Sequence, residues 1–397
     1  MGTTVSTPQY SDPQIQGIIQ ASAIERTQSI SGATTINPTN QPIYSIQPLK
    51  VGLVKSFTVS ITATISNTGT TAITPTDFGA SNLLYNIQFT DPQNNQRINC
   101  PGFFISLLNS IRHRQLYQTA LVQTATDVNS VMNYGSNINV QSMTPSIAAG
   151  GTGTVTFNWE IPVCYSDRDY RGIINMAVLN AVSFLQLTFP SPAQLAAVGT
   201  ADSTFAVYKG ASAANVVSIT SATINVYQKY MDQIPTNPQT NLPFLPPIAA
   251  STQYLLQSVN NSGGMAANQQ FNMPYANLRQ FISSIIVFNN GTTTNGGRGN
   301  GTDIVNIGLQ TANQSYVFQL SPAQVAIRMR KVLFCDPPPG TYYLSFRDKP
   351  FSTANYGTLQ LGVVPAVIGA NPPYILNFSE MFANIATVQN AGSLSSS

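Results

Sequence analysis

Charge is what this sequence has least of. In a chain of 397 residues, lysine and arginine number 17 and aspartate and glutamate 14, so that 8% is charged, where soluble globular domains carry about 25%. Glutamate occurs at Glu25, Glu160 and Glu380 alone, and His113 is the one histidine. The groups that most enzymes titrate are therefore scarce, and the chain reads as a non-enzyme that needs no cofactor or metal. A net charge of +3, scattered over Lys50, Lys55, Arg97, Lys209, Lys229, Arg279 and Arg347 among others, lacks the basic face of a protein that binds nucleic acid directly. Cysteine is almost absent: Cys100, Cys164 and Cys335 are too few and too widely spaced for a disulfide framework or a zinc site, and a reducing compartment follows. No apolar run approaches the about 20 residues that span a bilayer. Phe281 to Phe288 is short, and Ala177 to Phe189 is broken by Asn180, Ser183 and Gln186. The opening MGTTVSTPQYSDPQ has neither the basic segment nor the apolar run of an export signal.

What is present is enough to fold. Hydrophobic residues make up 43% and aromatics 9%, which buries sufficient apolar surface to offset chain entropy, and the length suggests two or three domains. From Lys50, KVGLVKSFTVSITATIS alternates Phe57, Val59, Ile61, Ala63 and Ile65 with Ser56, Thr58, Ser60, Thr62 and Thr64, the period of a half-buried strand. Similar runs recur at 83–90, 154–161, 181–189 and 216–230, then at 253–259, 280–288, 303–309, 316–320, 341–346, 358–364 and 374–378. Short strands at this spacing, about eight in each half, indicate an all-β sandwich or jelly roll. Phe103 to Leu116 predicts an inserted helix with Phe104, Leu107, Leu108 and Ile111 on one stripe. A second helix starts at Ser321-Pro322 and runs through AQVAIRMRKVLF, with Ser321 as its cap.

The segment Ile234 to Ile248 (IPTNPQTNLPFLPPI) is a stiff, proline-rich connector. The expected organisation is an N-terminal helix and arm over 1–48, a first sandwich over 49–240, a second over 241–384 and a tail over 385–397. In the arm, Ile15, Ile18, Ile19 and Ile24 fall near one face of a short amphipathic helix.

Candidate chemistry is thin. Arg112 and Arg114 flank His113 and oppose an imidazolium, and a triad also needs a carboxylate partner. Asp167 and Asp169, in YSDRDYRG, are the one close carboxylate pair, but interleaved Arg168 and Arg171 make them paired turn charges rather than a glycosidase acid and base. The glycine-rich Asn289 to Asp303 lacks the lysine of a phosphate loop and the acid of a calcium repeat, so it reads as a surface loop. Met1-Gly2-Thr3-Thr4-Val5-Ser6 matches a short myristoylation pattern that is frequent by chance. Arg328, Arg330 and Lys331 form the one basic cluster, on the second helix, suited to a subunit contact, a lipid headgroup or plain solvation.

Longer stretches carry a resemblance. Val51 to Pro92 (VGLVKSFTVSITATISNTGTTAITPTDFGASNLLYNIQFTDP), Ile224 to Pro235 (INVYQKYMDQIP), Tyr275 to Gly291 (YANLRQFISSIIVFNNG) and Phe346 to Val364 (FRDKPFSTANYGTLQLGVV) resemble, in order, the major capsid protein of tectiviruses, tailless icosahedral phages with an internal membrane. The resemblance implies a double jelly roll, two eight-stranded sandwiches with short inserted helices, and a homotrimer that forms a pseudo-hexagonal tile of an icosahedral shell. It also implies assembly in the host cytoplasm and residence in the virion. The implied partners are further copies of the chain, penton, vertex and minor capsid proteins, and the internal membrane. The membrane is met by the N-terminal helix carrying Ile15, Ile18, Ile19, Ile24 and Arg26. Physical reasoning points the same way, because a tile that meets copies of itself avoids burying unpaired charge and uses amides and hydroxyls instead. The alternative from another class is a two-domain β-sandwich adhesin that binds carbohydrate through its loops; the missing export signal opposes it.

Overall fold

Among the described residues sixteen principal strands build the fold, and most of them follow the alternation seen in the sequence. The structure is a computed structural model and describes residues 10–112, 120–121, 131–132, 142–177, 182–200, 203–238, 241, 243–245, 252–276, 278–291, 303–311, 316–333, 340–347, 350–353 and 359–384. In the first half the strands are β1 (Ile24–Ile36), β2 (Ile43–Ile46), β3 (Leu53–Asn67), β4 (Asn86–Thr90), β5 (Gln96–Cys100), β6 (Thr152–Pro162), β7 (Phe184–Thr188) and β8 (Val217–Asp232). They form two sheets in the orders β1-β8-β3-β6 and β2-β7-β4-β5. The register places Ile61 of β3 beside Ile224 of β8 and Phe157 of β6, all fully buried. Phe57 of β3 meets Phe89 of β4 across the sandwich, with ring centroids 5.2 Å apart. The polar members of the alternation, Ser60, Thr62 and Thr64, line the outer face.

The second half contributes β9 (Thr252–Ser262), β10 (Phe271–Pro274), β11 (Arg279–Asn289), β12 (Ile304–Thr311), β13 (Tyr316–Leu320), β14 (Thr341–Ser345), β15 (Leu359–Pro365) and β16 (Tyr374–Asn384). Their sheets, β9-β16-β11-β14 and β10-β15-β12-β13, repeat the strand order of the first half one for one. This is the jelly-roll connection used twice. Among the described residues the α-helices are α1 (Asp12–Ser22), α2 (Gly102–Arg112), the short α3 (Pro192–Leu195) and α4 (Pro322–Leu333). In each half a single residue separates the fifth strand, β5 or β13, from the helix that follows it, α2 or α4. Ser321 caps α4 as its sequence indicates, accepting from the Gln324 backbone N–H at 3.4 Å while its own N–H donates to Gln324 Oε1 at 2.9 Å.

Residues 24–46, read in the sequence as an extended arm, are strands of the first sandwich. β1 pairs along its length with β8 alone and is exposed at most of its positions. An edge strand that buries little needs no apolar alternation, so its sequence, IERTQSISGATTI, gives no periodic signal.

The two sandwiches are fused. β5 and β9 pair in parallel, Ile98 opposite Leu256 and Asn99 opposite Gln257, which makes one sheet across both halves, its ninth strand being the short Phe351–Ser352 beside β11. Beside this junction α2 lies on the outer face of β9-β16-β11-β14: Phe104 stacks on Phe378 at 4.7 Å with planes 16° apart. Gly102, which opens α2, sits so close to Ser81 O, Leu84 O and Trp159 Nε1 that a Cβ would fall 2.7–2.9 Å from them. One continuous apolar cluster runs through both sandwiches.

Candidate functional site

Charges that are scattered in sequence converge at one end of the molecule. Of the basic residues dispersed along the chain, Lys55, Lys229 and Arg347 meet here, because strand order, not sequence distance, decides which side chains meet, whereas Arg97 pairs with Asp91 elsewhere. Lys55 on β3 is buried, at 4% exposure, between two carboxylates: Nζ is 2.7 Å from Glu25 Oε2 on β1 and 2.8 Å from Asp167 Oδ1 in the turn after β6. Lys229 on β8 spans the same pair at 3.2 Å to each. Burial disfavours the charged carboxylates, but hydrogen bonds and attraction from Lys55 and Lys229 hold Glu25 and Asp167 below the usual range. The same carboxylates outweigh burial at Lys55 and push its ammonium up. Asp169 is clasped by Arg171, with Nη2 2.6 Å and Nε 2.9 Å from Oδ2. Both members of the carboxylate pair thus sit in ion pairs, the arrangement expected of turn charges.

A second group lies behind the first, in the seam between the sandwiches. Glu380 on β16 is fully buried and accepts from Tyr254 at 2.8 Å, Ser283 at 2.7 Å, Arg112 Nη2 at 3.3 Å and Arg347 Nη2 at 3.2 Å. Burial works against its charge; Arg347 and Arg112, then the two hydroxyl donors, overcome it and hold the carboxyl below its ordinary value. Arg112 comes from α2 of the first sandwich, Arg347 and Glu380 from the second, so this cluster ties the halves together. Arg171 lies over the Phe382 ring at 4.3 Å, and Gly172, at φ +86°, approaches Tyr254 so closely that a Cβ would lie 2.3 Å from the Tyr254 Cβ. A cleft of about 300 Å³ opens between the two groups, lined by Lys55, Arg112, Glu160, Asp167, Arg168 and Arg347 among others. All three glutamates of the chain are at this end.

Helix α1 closes over the outer ion pairs. Ile15 and Ile19 are buried in a small cluster with Leu53, Tyr170, Ile173, Met231 and Phe244, separate from the main core, and Ile18 packs partly against it. Ser11 and Gln14 form a capping box at its start, and Gln16 donates to the Arg168 carbonyl. Ile24 is 45% exposed just beyond the helix, and Arg26 pairs with Asp232 at 2.9 Å. Thus the residues expected on one helix divide: Ile15 and Ile19 anchor α1 to its own chain, whereas Ile24 and Arg26 are not on the helix but begin β1, because the helix ends at Ser22, and Ile24 faces out. On α4, Arg328 and Lys331 are exposed, whereas the Arg330 side chain lies outside the described residues. Also outside them are His113, residues 1–9 with the Gly2 pattern, 292–302 of the glycine-rich loop, and the tail from 385. Ile111 is in α2, its side chain not among those described.

Sequence reasoning missed the convergence of Lys55, Lys229, Glu25 and Asp167, and the role of Glu380. A single glutamate in the apolar strand YILNFSEMFAN was the available signal, since an isolated carboxylate in such a run requires buried partners.

Matches with known families, a curated relative and solved structures bear on this architecture. A model described as the P3 major capsid protein N-terminal family matches residues 20–234, and the corresponding C-terminal family matches 251–396. The chain belongs to the P3 major capsid protein family. Within that family it is 34% identical over 363 residues to the major capsid protein P3 of Enterobacteria phage PRD1, covering 91% of this chain and 88% of that one. Among solved structures, the major capsid protein of Sulfolobus Turreted Icosahedral Virus matches with a TM-score of 0.60 at 12% identity, covering 92% of this chain and 97% of that one. The capsid model of the virus PBCV-1 gives 0.53 at 11%, covering 96% of each chain. At such identities these two speak for the double jelly-roll fold alone.

Proposed function

We propose that this chain is the coat subunit of a virion, assembling as a homotrimer whose six sandwiches form a pseudo-hexagonal tile, with no catalytic step. The observation that carries the reading is the duplication: two sandwiches of identical strand order, fixed side by side by a shared sheet and a buried seam. A unit of two like halves fills a six-position ring with three copies. The family to which the chain belongs, and its charge-poor outer sheet faces, support the same reading, because such faces can be buried against neighbours without stranding charge. Tiles would then pack edge to edge into facets, leaving the vertices to penton and minor capsid proteins. The two halves divide near residue 240, in the proline-rich connector.

We assign helix α1, with Ile24 and Arg26, to the side facing the internal membrane. Ile15 and Ile19 fix the helix to its own sandwich, and an exposed isoleucine beside an arginine suits a headgroup boundary. Light scattering at micromolar concentration tests the oligomer: the expected mass is three times the 42.6 kDa of one chain, and a monomer would overturn the reading. Deleting residues 2–22, which spares β1, is expected to leave the trimer intact and to weaken assembly on membrane; normal assembly of the truncated chain on its membrane would remove the helix from that role.

A further inference from the structure

The repeat within the chain also locates the contact between copies. β5 and β13 are each followed by one residue and a helix, so positions in α2 and α4 correspond: Phe104, Leu107 and Leu108 of α2 match Gln324, Ile327 and Arg328 of α4. The inward positions agree, since Ile105 and Asn109 are as buried as Val325 and Met329. The other face differs. On α2 it is covered, Phe104 lying on Phe378 and Arg112 reaching Glu380, both on the outer face of the second sandwich's β9-β16-β11-β14 sheet. That this is the outer face follows from β11, whose Ser283 bonds to Glu380 while the adjacent Ser284 points inward to Tyr275. On α4 the corresponding stripe is open: Gln324, Ile327 and Arg328 are exposed, Ile327 at 56%.

The equivalent receiving surface is open too. It is the outer face of β1-β8-β3-β6 in the first sandwich. Rows of hydroxyls and amides cross it without a charge, Thr223-Thr62-Thr156 and Asn225-Ser60-Asn158. Tyr227 stands on it 39% exposed, on β8, the counterpart of the strand that bears Phe378. At the same end as Tyr227 lie Glu160, whose Oε1 accepts from Ser56, and Lys229, whose ammonium is shared by Glu25 and Asp167.

We propose that α4 of one copy seats Ile327, Arg328 and Lys331 on the outer face of β8 and β3 in a second copy, repeating between chains the contact that α2 makes within one. Such a contact is head-to-tail rather than a pairing of like surfaces, and in the three-copy assembly proposed above it closes a ring. The proposal rests on the trimer reading above and adds which surfaces meet.

The test compares the full chain with Ile327→Glu, with Thr62→Arg, and with Val305→Arg as a control at an exposed position elsewhere (44% exposed), all by light scattering. Ile327→Glu and Thr62→Arg are each expected to reduce the mass from three chains to one, with unchanged far-ultraviolet circular dichroism, and the control to remain trimeric. A wild-type trimer that both variants preserve overturns these surfaces and leaves the trimer standing, whereas a wild-type monomer overturns the trimer and this contact together. Should either variant lose its fold, a second measurement decides: Ile327→Cys with Tyr227→Cys, in chains carrying Cys335→Ser, treated with a short bis-maleimide. Covalent dimers and trimers are expected from the double variant and not from either single one; their absence overturns the contact.

Discussion

Glu380 concentrates the electrostatics of the seam in one side chain. It is buried with two arginines, two hydroxyls and no water-facing surface. Replacing it with glutamine strands the guanidinium charges of Arg112 and Arg347, which costs about 3–5 kcal/mol for a broken buried pair; urea denaturation of Glu380→Gln measures this directly. Its acid behaviour has a definite sign. The folded-state pKa of Glu380, and those of Glu25 and Asp167, lie below their unfolded values. Their stabilisation is therefore complete above the unfolded range near 4.5 and 3.8 and is lost as pH falls through the lower folded values. Denaturation midpoints are expected to be flat from neutral pH to about 5 and to fall in more acid solution, and the Glu380→Gln variant should show a shallower fall. The lone carboxylate of Glu380 in an apolar strand was the one signal in the sequence; the outer cluster gave none, because positions 25, 55, 167 and 229 become neighbours only through the jelly-roll crossing of β1, β3 and β8.

At the level of elements, legibility followed burial. β3, β6, β8 and β11 pack apolar side chains on at least one face and were readable from alternation. β1, β2 and β10 are short or exposed and were not. Helix α4 was readable from its cap, and Ser321→Ala is expected to cost about 1 kcal/mol, seen as a lower denaturation midpoint. Helix α1 is held differently. Its anchors Ile15 and Ile19 belong to a small cluster apart from the main core, so the helix can open without the sandwich. Ile19→Asp should therefore create early proteolytic cleavage within residues 10–23 while the main thermal transition stays in place. A large drop in that transition would show that α1 is instead integral to the core.

Over the whole molecule, the composition takes on a positive sense. Glu25, Lys55, Asp167, Lys229, Arg112, Arg347 and Glu380 meet in ion pairs, while rows such as Thr223-Thr62-Thr156 on the outer sheet face carry no charge, and copies of the chain can then meet through amides, hydroxyls and a few apolar contacts. Little of that attraction is screened by salt, so the oligomer mass is expected to change little when ionic strength rises from about 0.1 M to about 1 M; dissociation over this range would mean that ion pairs dominate. The continuous core and the shared sheet join the two sandwiches, although each has the strands of an independent domain. The sequence showed two like halves by strand spacing, but their fusion rests on the β5–β9 pairing and the Glu380 cluster, which no local pattern announces. The most direct test of the account is an electron micrograph of the purified chain averaged along its symmetry axis. Six lobes with three-fold symmetry are predicted, two lobes from each chain; isolated two-lobed particles would contradict it.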